Sequence, residues 1–213
     1  MGISERRKRE KEALGRKIMD AAREIFVDEG YEAVTMRRIA DKIEYSATAI
    51  YSHFKDKDAL IWAITYSDFR ALTESLHAVG DVADPIERMR CIARLYVNFG
   101  INNPNQYRQI FMSSSGPLYD EEFREDVRGN PDTDAYAWII KVMSDALRQG
   151  AIAIPDGKLE LYAQTLWSAF HGLISLHIGL SGEPWVEWAS MDERVDLMFN
   201  LLMVGVIKET SGH

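Results

Sequence analysis

The sequence predicts an all-α protein in which an N-terminal unit of three short helices precedes a larger C-terminal helical bundle. Apolar residues recur at spacings of three and four from Leu14 almost to the C-terminus, the period of a helix with one buried face. No segment sustains the apolar–polar alternation of a half-buried strand. Start and stop residues fall where the helical pattern begins and breaks.

Leu14, Ile18, Ala21, Ala22, Ile25 and Phe26 form the first apolar stripe, and Gly30 follows it as a stop. Thr35 is a good N-cap for a second helix carrying Ile39, Ala40 and Ile43. Only Glu44 and Tyr45 separate that helix from Ser46, a further N-cap, which opens a short helix with Ile50, Tyr51 and Phe54. Asp56 caps a longer helix through Leu60, Ile61, Ile64 and Leu72, ending near Gly80. Pro85 starts a helix to about Asn102 with Ile86, Met89, Ile92, Ala93, Tyr96 and Val97 on its apolar side, and Pro104 starts a short one through Tyr107, Ile110 and Phe111. Residues 113–132 contain Ser-Ser-Ser-Gly-Pro, an acidic run and Gly-Asn-Pro, and read as a long loop with at most one helical turn. Helices resume at about 133–149, 157–181 and 190–209.

The bulk numbers bound the classes of function. The chain has 213 residues, of which 46% are hydrophobic and 27% charged, enough apolar surface for a core. One cysteine, Cys91, allows no internal disulfide and suits a reducing compartment. The opening Met-Gly-Ile-Ser-Glu-Arg-Arg-Lys-Arg is charged where a secretory signal would turn apolar, so a cytoplasmic location is expected. Leu161 to Leu180 is mostly apolar and nearly long enough to cross a bilayer, yet it holds Gln164, Ser168, His171, Ser175 and His177. It reads as a helix buried on two sides, with no membrane partner.

The net charge of −8 hides an asymmetry. Residues 1–58 hold 13 Lys/Arg and 12 Asp/Glu, a balance of +1, and residues 59–213 hold 12 and 21, a balance of −9. Arg6, Arg7, Lys8, Arg9 and Lys11 make the N-terminal arm basic. Such an arm is either a solvated, disordered tail or a reach toward nucleic-acid phosphates.

Residues 35–57 carry the functional signal. A helix, a two-residue turn and a second helix place apolar residues at 39, 40, 43, 50 and 54, the spacing that packs two helices steeply. The second helix leaves Ser46, Ala47, Thr48, Ala49, Tyr51 and Ser52 outward. These small or hydroxylic residues would let it lie close against base edges in a major groove of a double-stranded DNA operator. Amides at the capped N-termini would face phosphates.

Ile39-Ala40, Ser46, Ile50-Tyr51, His53-Phe54, Lys57 and Leu60 resemble the TetR family of bacterial regulators, whose signature includes Tyr-x-x-Phe followed by lysine. The likeness covers about residues 14–64. It departs at Glu44, where the family often has glycine, which puts the turn geometry in question. The resemblance implies base contacts from Arg37, Ala47, Thr48 and Tyr51 and phosphate contacts from Thr35, Ser46, His53 and Lys57. Arg37 can fork onto a guanine, and Thr48 can touch a thymine methyl. A solvated Arg37, and a His53 that only caps or packs, are the alternatives.

Asn103-Pro104-x-x-Tyr107-x-x-x-Phe111 and Trp167-x-x-x-His171-Gly172 resemble a TetR subgroup whose C-terminal region carries a tryptophan followed by His-Gly. In that family this half makes the dimer and binds a small effector. Two stripes on residues 157–181 and one through Val195, Met198, Phe199, Leu202 and Val206 agree, since a helix apolar on two sides must be buried on both. A homodimer through the last two helices is therefore expected. An apolar or aromatic effector pocket is expected among Tyr96, Tyr107, Phe111, Tyr136, Trp167 and His171, each of which could equally be core packing.

The domains are expected at 1–56 for the arm and helix-turn-helix, 57–80 for a linking helix, and 81–213 for ligand binding and dimerisation. His171 and His177 lie about 240° apart around a helix and cannot share a metal from it. No Cys/His cluster or phosphate-binding glycine loop exists, so neither metal, cofactor nor catalysis is expected. Asp120-Glu121-Glu122 with Glu125-Asp126 could draw a divalent cation or simply form a solvated loop.

Overall fold

Nine α-helices and one 3₁₀ turn make up the described residues, which in this computed structural model are 3–113, 127–180, 182–184 and 186–207. The acidic run at 120–126 lies outside them. The helices are α1 (Ile3–Glu29), α2 (Met36–Ile43), α3 (Ala47–Tyr51), α4 (Lys57–His77), α5 (Pro85–Asn102), α6 (Pro104–Phe111), α7 (Ala135–Arg148), α8 (Leu159–Leu180) and α9 (Met191–Met203), with the 3₁₀ turn at Tyr31–Ala33. Among the described residues the only β-pairing is an isolated bridge between Ile152 and Ile207. No described helix is long and apolar enough to cross a membrane.

Side chains terminate these helices as their types dictate. Thr35 accepts from the Arg38 amide at 3.1 Å, Ser46 from Ala49 at 3.2 Å, Asp56 from Ala59 at 2.7 Å and Asp84 from Ile86 at 2.8 Å. Ser190 and Glu193 form a reciprocal capping box at the start of α9.

Two elements differ from the sequence reading. The basic arm is not a separate tail, because α1 begins at Ile3. Glu, Arg, Lys, Ala and Leu through residues 5–14 are all strong helix formers, and Arg6 pairs with Glu10 one turn on at 2.8 Å. At the other end α9 stops at Met203, short of residue 209. Gly205 takes φ 75°, and the Val206 carbonyl accepts from the Ala153 amide at 2.7 Å, which turns the chain out of the helix while Val206 stays buried.

The chain divides into two compact units, one within Met1–Phe69 and Asn103–Asp120, the other within Arg70–Asn102 and Glu121–His213. This division places α6 with the N-terminal helices and shares α4 between the units, unlike the expected boundaries at residues 56 and 80. Asn105 on α6 donates to the Val27 carbonyl at 2.7 Å, satisfying an acceptor near the end of α1. The first unit's core joins Ile18, Ala22, Ile25 and Phe26 of α1, Ile39 and Ala40 of α2, Ile50 of α3, and Leu60, Ile61 and Ile64 of α4. In the second, Met89, Ile92, Tyr96 and Val97 of α5, Val142 and Met143 of α7, Ala163, Phe170, Leu173 and Ile174 of α8, and Val195, Phe199 and Met203 of α9 are buried.

Candidate nucleic-acid interface

The turn between α2 and α3 sets the geometry of the site. Glu44 adopts φ 60°, ψ 40°, the left-handed region, and no other non-glycine described residue has positive φ. The Tyr45 amide donates to Ala40 O at 3.0 Å and the Glu44 amide to Asp41 O at 3.4 Å. Those two bonds are a Schellman closure, which normally favours glycine at the left-handed position. The departure at residue 44 therefore leaves the turn in its left-handed form. Its carboxylate is exposed, and the nearby cations are engaged elsewhere: Lys42 with Glu24 at 2.8 Å, Arg38 with Glu29 at 2.9 Å. The Arg38 guanidinium holds the Glu29 carboxyl below its ordinary pKa.

With the turn closed, Ile50 sinks fully into the core and Thr48, Tyr51 and Ser52 face solvent, Ala47 and Ala49 being half-buried. Tyr51 is 55% exposed. Ser52 donates to Ala49 O at 2.7 Å, so its hydroxyl is spent on its own helix. Thr35 and Ser46 use hydroxyl oxygens as acceptors, so each keeps its proton for an outside acceptor. Arg37 is exposed and forms no ion pair among the described residues. His53 is half-buried with its ring against α1, where a Cβ on Gly15 would stand 3.4 Å from Nδ1.

Lys57 is the most constrained of the expected contacts. Its Nζ lies 3.7 Å from the centroid of the Tyr31 ring and 3.9 Å from a Glu32 carboxylate oxygen. The Tyr31 hydroxyl donates to Asp58, and this bond, with burial next, pushes the phenol up to about 12. The ring is thus anchored at its far end and presents its face to the ammonium. Sequence reasoning missed Tyr31. A single aromatic after Gly30 carries no periodic signal, and its partners lie 26 and 27 residues on.

Of the six expected effector contacts, Tyr96, Tyr136, Trp167 and His171 fall in the second unit. Trp167 Nε1 donates to the Tyr96 hydroxyl at 2.8 Å, and the Tyr136 and Trp167 rings are 5.9 Å apart. The Tyr136 hydroxyl is buried beside Gln164 but not in hydrogen-bond geometry with it. Burial pushes the His171 imidazole below its ordinary pKa, favouring the neutral ring. Tyr107 and Phe111 belong to the first unit, where Tyr107 is fully buried with its ring 4.8 Å from that of Phe111. No group of His, Cys, Asp and Glu among the described residues is arranged to hold a metal ion.

Comparison with known proteins bears on both units. Residues 18–64 match the model of bacterial regulatory proteins, tetR family. Residues 89–201, more than half the chain, match the tetracyclin repressor-like C-terminal domain. An HTH-type transcriptional repressor of Mycobacterium tuberculosis is 41% identical over 78 residues, covering 37% of this chain and 40% of the repressor. The HTH-type transcriptional activator FasR of Mycolicibacterium smegmatis is 32% identical over 95 residues, covering 44% and 43%. The match thus spans about two fifths of these relatives' length. Among solved structures, a Rhodococcus protein of unknown function aligns with TM-score 0.73 at 22% identity, covering 92% of this chain and 96% of its own. A TetR/AcrR-family regulator from Thermobifida fusca aligns with TM-score 0.66 at 21% identity, covering 91% and 98%.

Proposed function

The chain belongs to the TetR family of bacterial regulatory proteins, and on that footing we propose that it is a transcriptional repressor that reads a palindromic DNA operator as a homodimer and responds to a small apolar or aromatic effector. The observation that carries this reading is α3 itself. A Schellman turn and the Ser46 cap hold a five-residue helix whose buried side is Ile50, with Ala47, expected to touch a base, packed beside it against the core, and whose open side is Thr48 and Tyr51. That side has the low profile needed to approach base edges. Arg37, Thr48 and Tyr51 read bases in this scheme; Thr35, Ser46, His53 and Lys57 hold phosphates.

The outward faces of α8 and α9 supply the dimer surface. Leu197, Leu201 and Val204 are 60, 63 and 77% exposed, and Leu161 and Leu176 are also open. Leu161, Thr165, Ser168, Gly172, Leu176 and Gly179 lie on one side of α8, where the two glycines have open space around them. Exposed leucines beside small residues suit close helix packing across a two-fold axis. Phe199 and Leu202, the positions first expected at this interface, are buried and half-buried within the chain, and Arg90 stacks on Phe199 at 4.4 Å.

The aromatic group of Tyr96, Tyr136, Trp167 and His171 is the effector site in this reading, while Tyr107 and Phe111 are core. Because α4 carries Lys57 and core residues of the first unit and continues to His77 in the second, a ligand favouring one tilt of α4 would shift operator affinity by its differential affinity and no more. Salt titration of operator binding tests the reading head. Lys57→Ala should weaken all duplexes alike and lower the salt slope by about one contact per half-site, while Arg37→Ala and Thr48→Ala should relax preference at single base pairs. A Lys57→Ala protein with altered base preference and an unchanged slope would refute this division of roles.

A further inference from the structure

The first two turns of α1 extend beyond the core as a charged helix whose sides differ. From Glu5 to Ala13 every residue is exposed. Viewed down the axis, Arg7, Lys8 and Lys11 fall within a sector of about 100° that includes Gly15 and contains no acid. Glu5 and Glu12 lie to one side of that sector, and Glu10 lies on the far side with Arg6. None of Arg7, Lys8 and Lys11 forms an ion pair among the described residues.

The direction of the sector carries the argument. It overlaps the side of α1 that further along buries Ile18, Ala22 and Ile25 in the core they share with Ile39 of α2 and Ile50 of α3. Gly15, at its inner end, faces the His53 ring. One helix face is therefore apolar where the helix-turn-helix lies beneath it and purely cationic where that support ends. A continuation toward protein would stay apolar. We propose that Arg7, Lys8 and Lys11 form a second DNA contact, gripping backbone phosphates of the duplex flanking each half-site.

Arg7 stands about 12 Å along the axis from Gly15, at 1.5 Å per residue, so the stripe reaches one or two phosphates past those within range of His53 and Lys57. The contact adds affinity and no base preference, since phosphate bonds carry no sequence information. A membrane surface fits poorly, because residues 5–13 offer only Ala13 as an apolar anchor. The inference rests on the reading of α3 as the groove-binding helix.

The full-length protein and a 40-base-pair duplex selected from a random pool provide the test. R7A/K8A/K11A is compared with R6A/R9A/R16A, which removes the same charge from the opposite side. Alanine keeps exposed helix, and circular dichroism verifies this. The first variant should lower the magnitude of the log Kd against log salt slope by roughly 1–2 per half-site, about 0.9 for each phosphate no longer neutralised. It should also lose hydroxyl-radical protection of the flanking sugars. The second variant should change neither measurably. Equal slope changes in both variants, or flanking protection that persists in the first, would overturn the inference while guanine N7 protection at the centre of each half-site upholds the α3 reading. Absence of N7 protection in the wild-type complex would overturn both.

Discussion

Glu44→Gly should stabilise the protein although it removes a side chain, because that side chain makes nothing the fold uses. Both Schellman bonds are made by backbone groups and survive the substitution. Lys42 and Arg38 pair with Glu24 and Glu29, so no ion pair is lost. What changes is the backbone. At φ 60°, ψ 40° a residue bearing a Cβ costs about 1–2 kcal/mol that glycine does not. The greater freedom of glycine in the unfolded chain returns about 0.4–1 kcal/mol of that. The net is a gain of about 0.5–1 kcal/mol, which for a chain of this size raises Tm by roughly 1–4 °C. Glu44→Gln separates strain from charge, since it keeps the Cβ and removes only the carboxylate. Differential scanning calorimetry should show Glu44→Gly above wild type and Glu44→Gln level with it, while operator affinity rises slightly and equally in both as a negative charge leaves the DNA-facing side. A lower Tm for Glu44→Gly, or equal gains from both variants, would refute the strain argument.

Leu197→Glu with Leu201→Glu places charges in an apolar interface that must desolvate on pairing, so sedimentation should show folded monomers that bind the operator weakly; an intact dimer would move the interface elsewhere. His171 has a folded pKa below its unfolded value near 6.5, so the unfolded chain binds the extra proton and stability is lost as pH falls through that range. The Tm drop between pH 7.5 and 5.5 should accordingly shrink in His171→Gln, and an undiminished drop would assign that pH dependence to other groups. Tyr31→Leu should reproduce the shallower salt slope of Lys57→Ala, and Tyr31→Phe, which keeps the ring face, should restore part of it; a Tyr31→Leu slope equal to wild type would mean that Lys57 needs no guide.

The reading head was legible because its structure is local. Thr35, Ser46 and Asp56 announce three helix starts within 22 residues, and Ile39, Ala40 and Ile50 are neighbours in sequence and in the core. Glu44 was legible as an anomaly, because the tight turn between two capped helices demands a left-handed residue whatever its identity. What stayed hidden depends on long separations. Trp167 and Tyr96 meet across 71 positions, and Asn105 bonds Val27 across 78. No periodicity reports such pairs. The last helix misled for a related reason. The stripe through Val195, Phe199, Leu202 and Val206 marks the side packed inside the chain, whereas the exposed leucines at 197 and 201 lie off it. Amphipathic pattern finds a buried face and does not say whether the same chain or a second copy buries it.

The local placement of charge resolves the tension between a net charge of −8 and the proposed polyanionic partner. Screening confines the relevant field to about 8–10 Å, so the charges beside α3 matter and the total does not. There three acids stand against cations. Glu24 takes Lys42, Glu29 takes Arg38, and Glu32 stands beside Lys57 on one flank of the ammonium. These pairs tie α1 and the 3₁₀ turn to α2 and α4, the helices on either side of α3. The exposed cations left without a carboxylate in the first unit include Arg37 at the start of α2 and the Arg7, Lys8 and Lys11 stripe on α1. Glu44 is the acid that stands out, because its cationic neighbours are committed elsewhere. In the proposed scheme the reading head depends on where these cations point. Charge added at random to the second unit should then leave operator affinity nearly unchanged in a binding titration, while one reversal at Arg37 should weaken operator binding and remove preference at the base pair it reads.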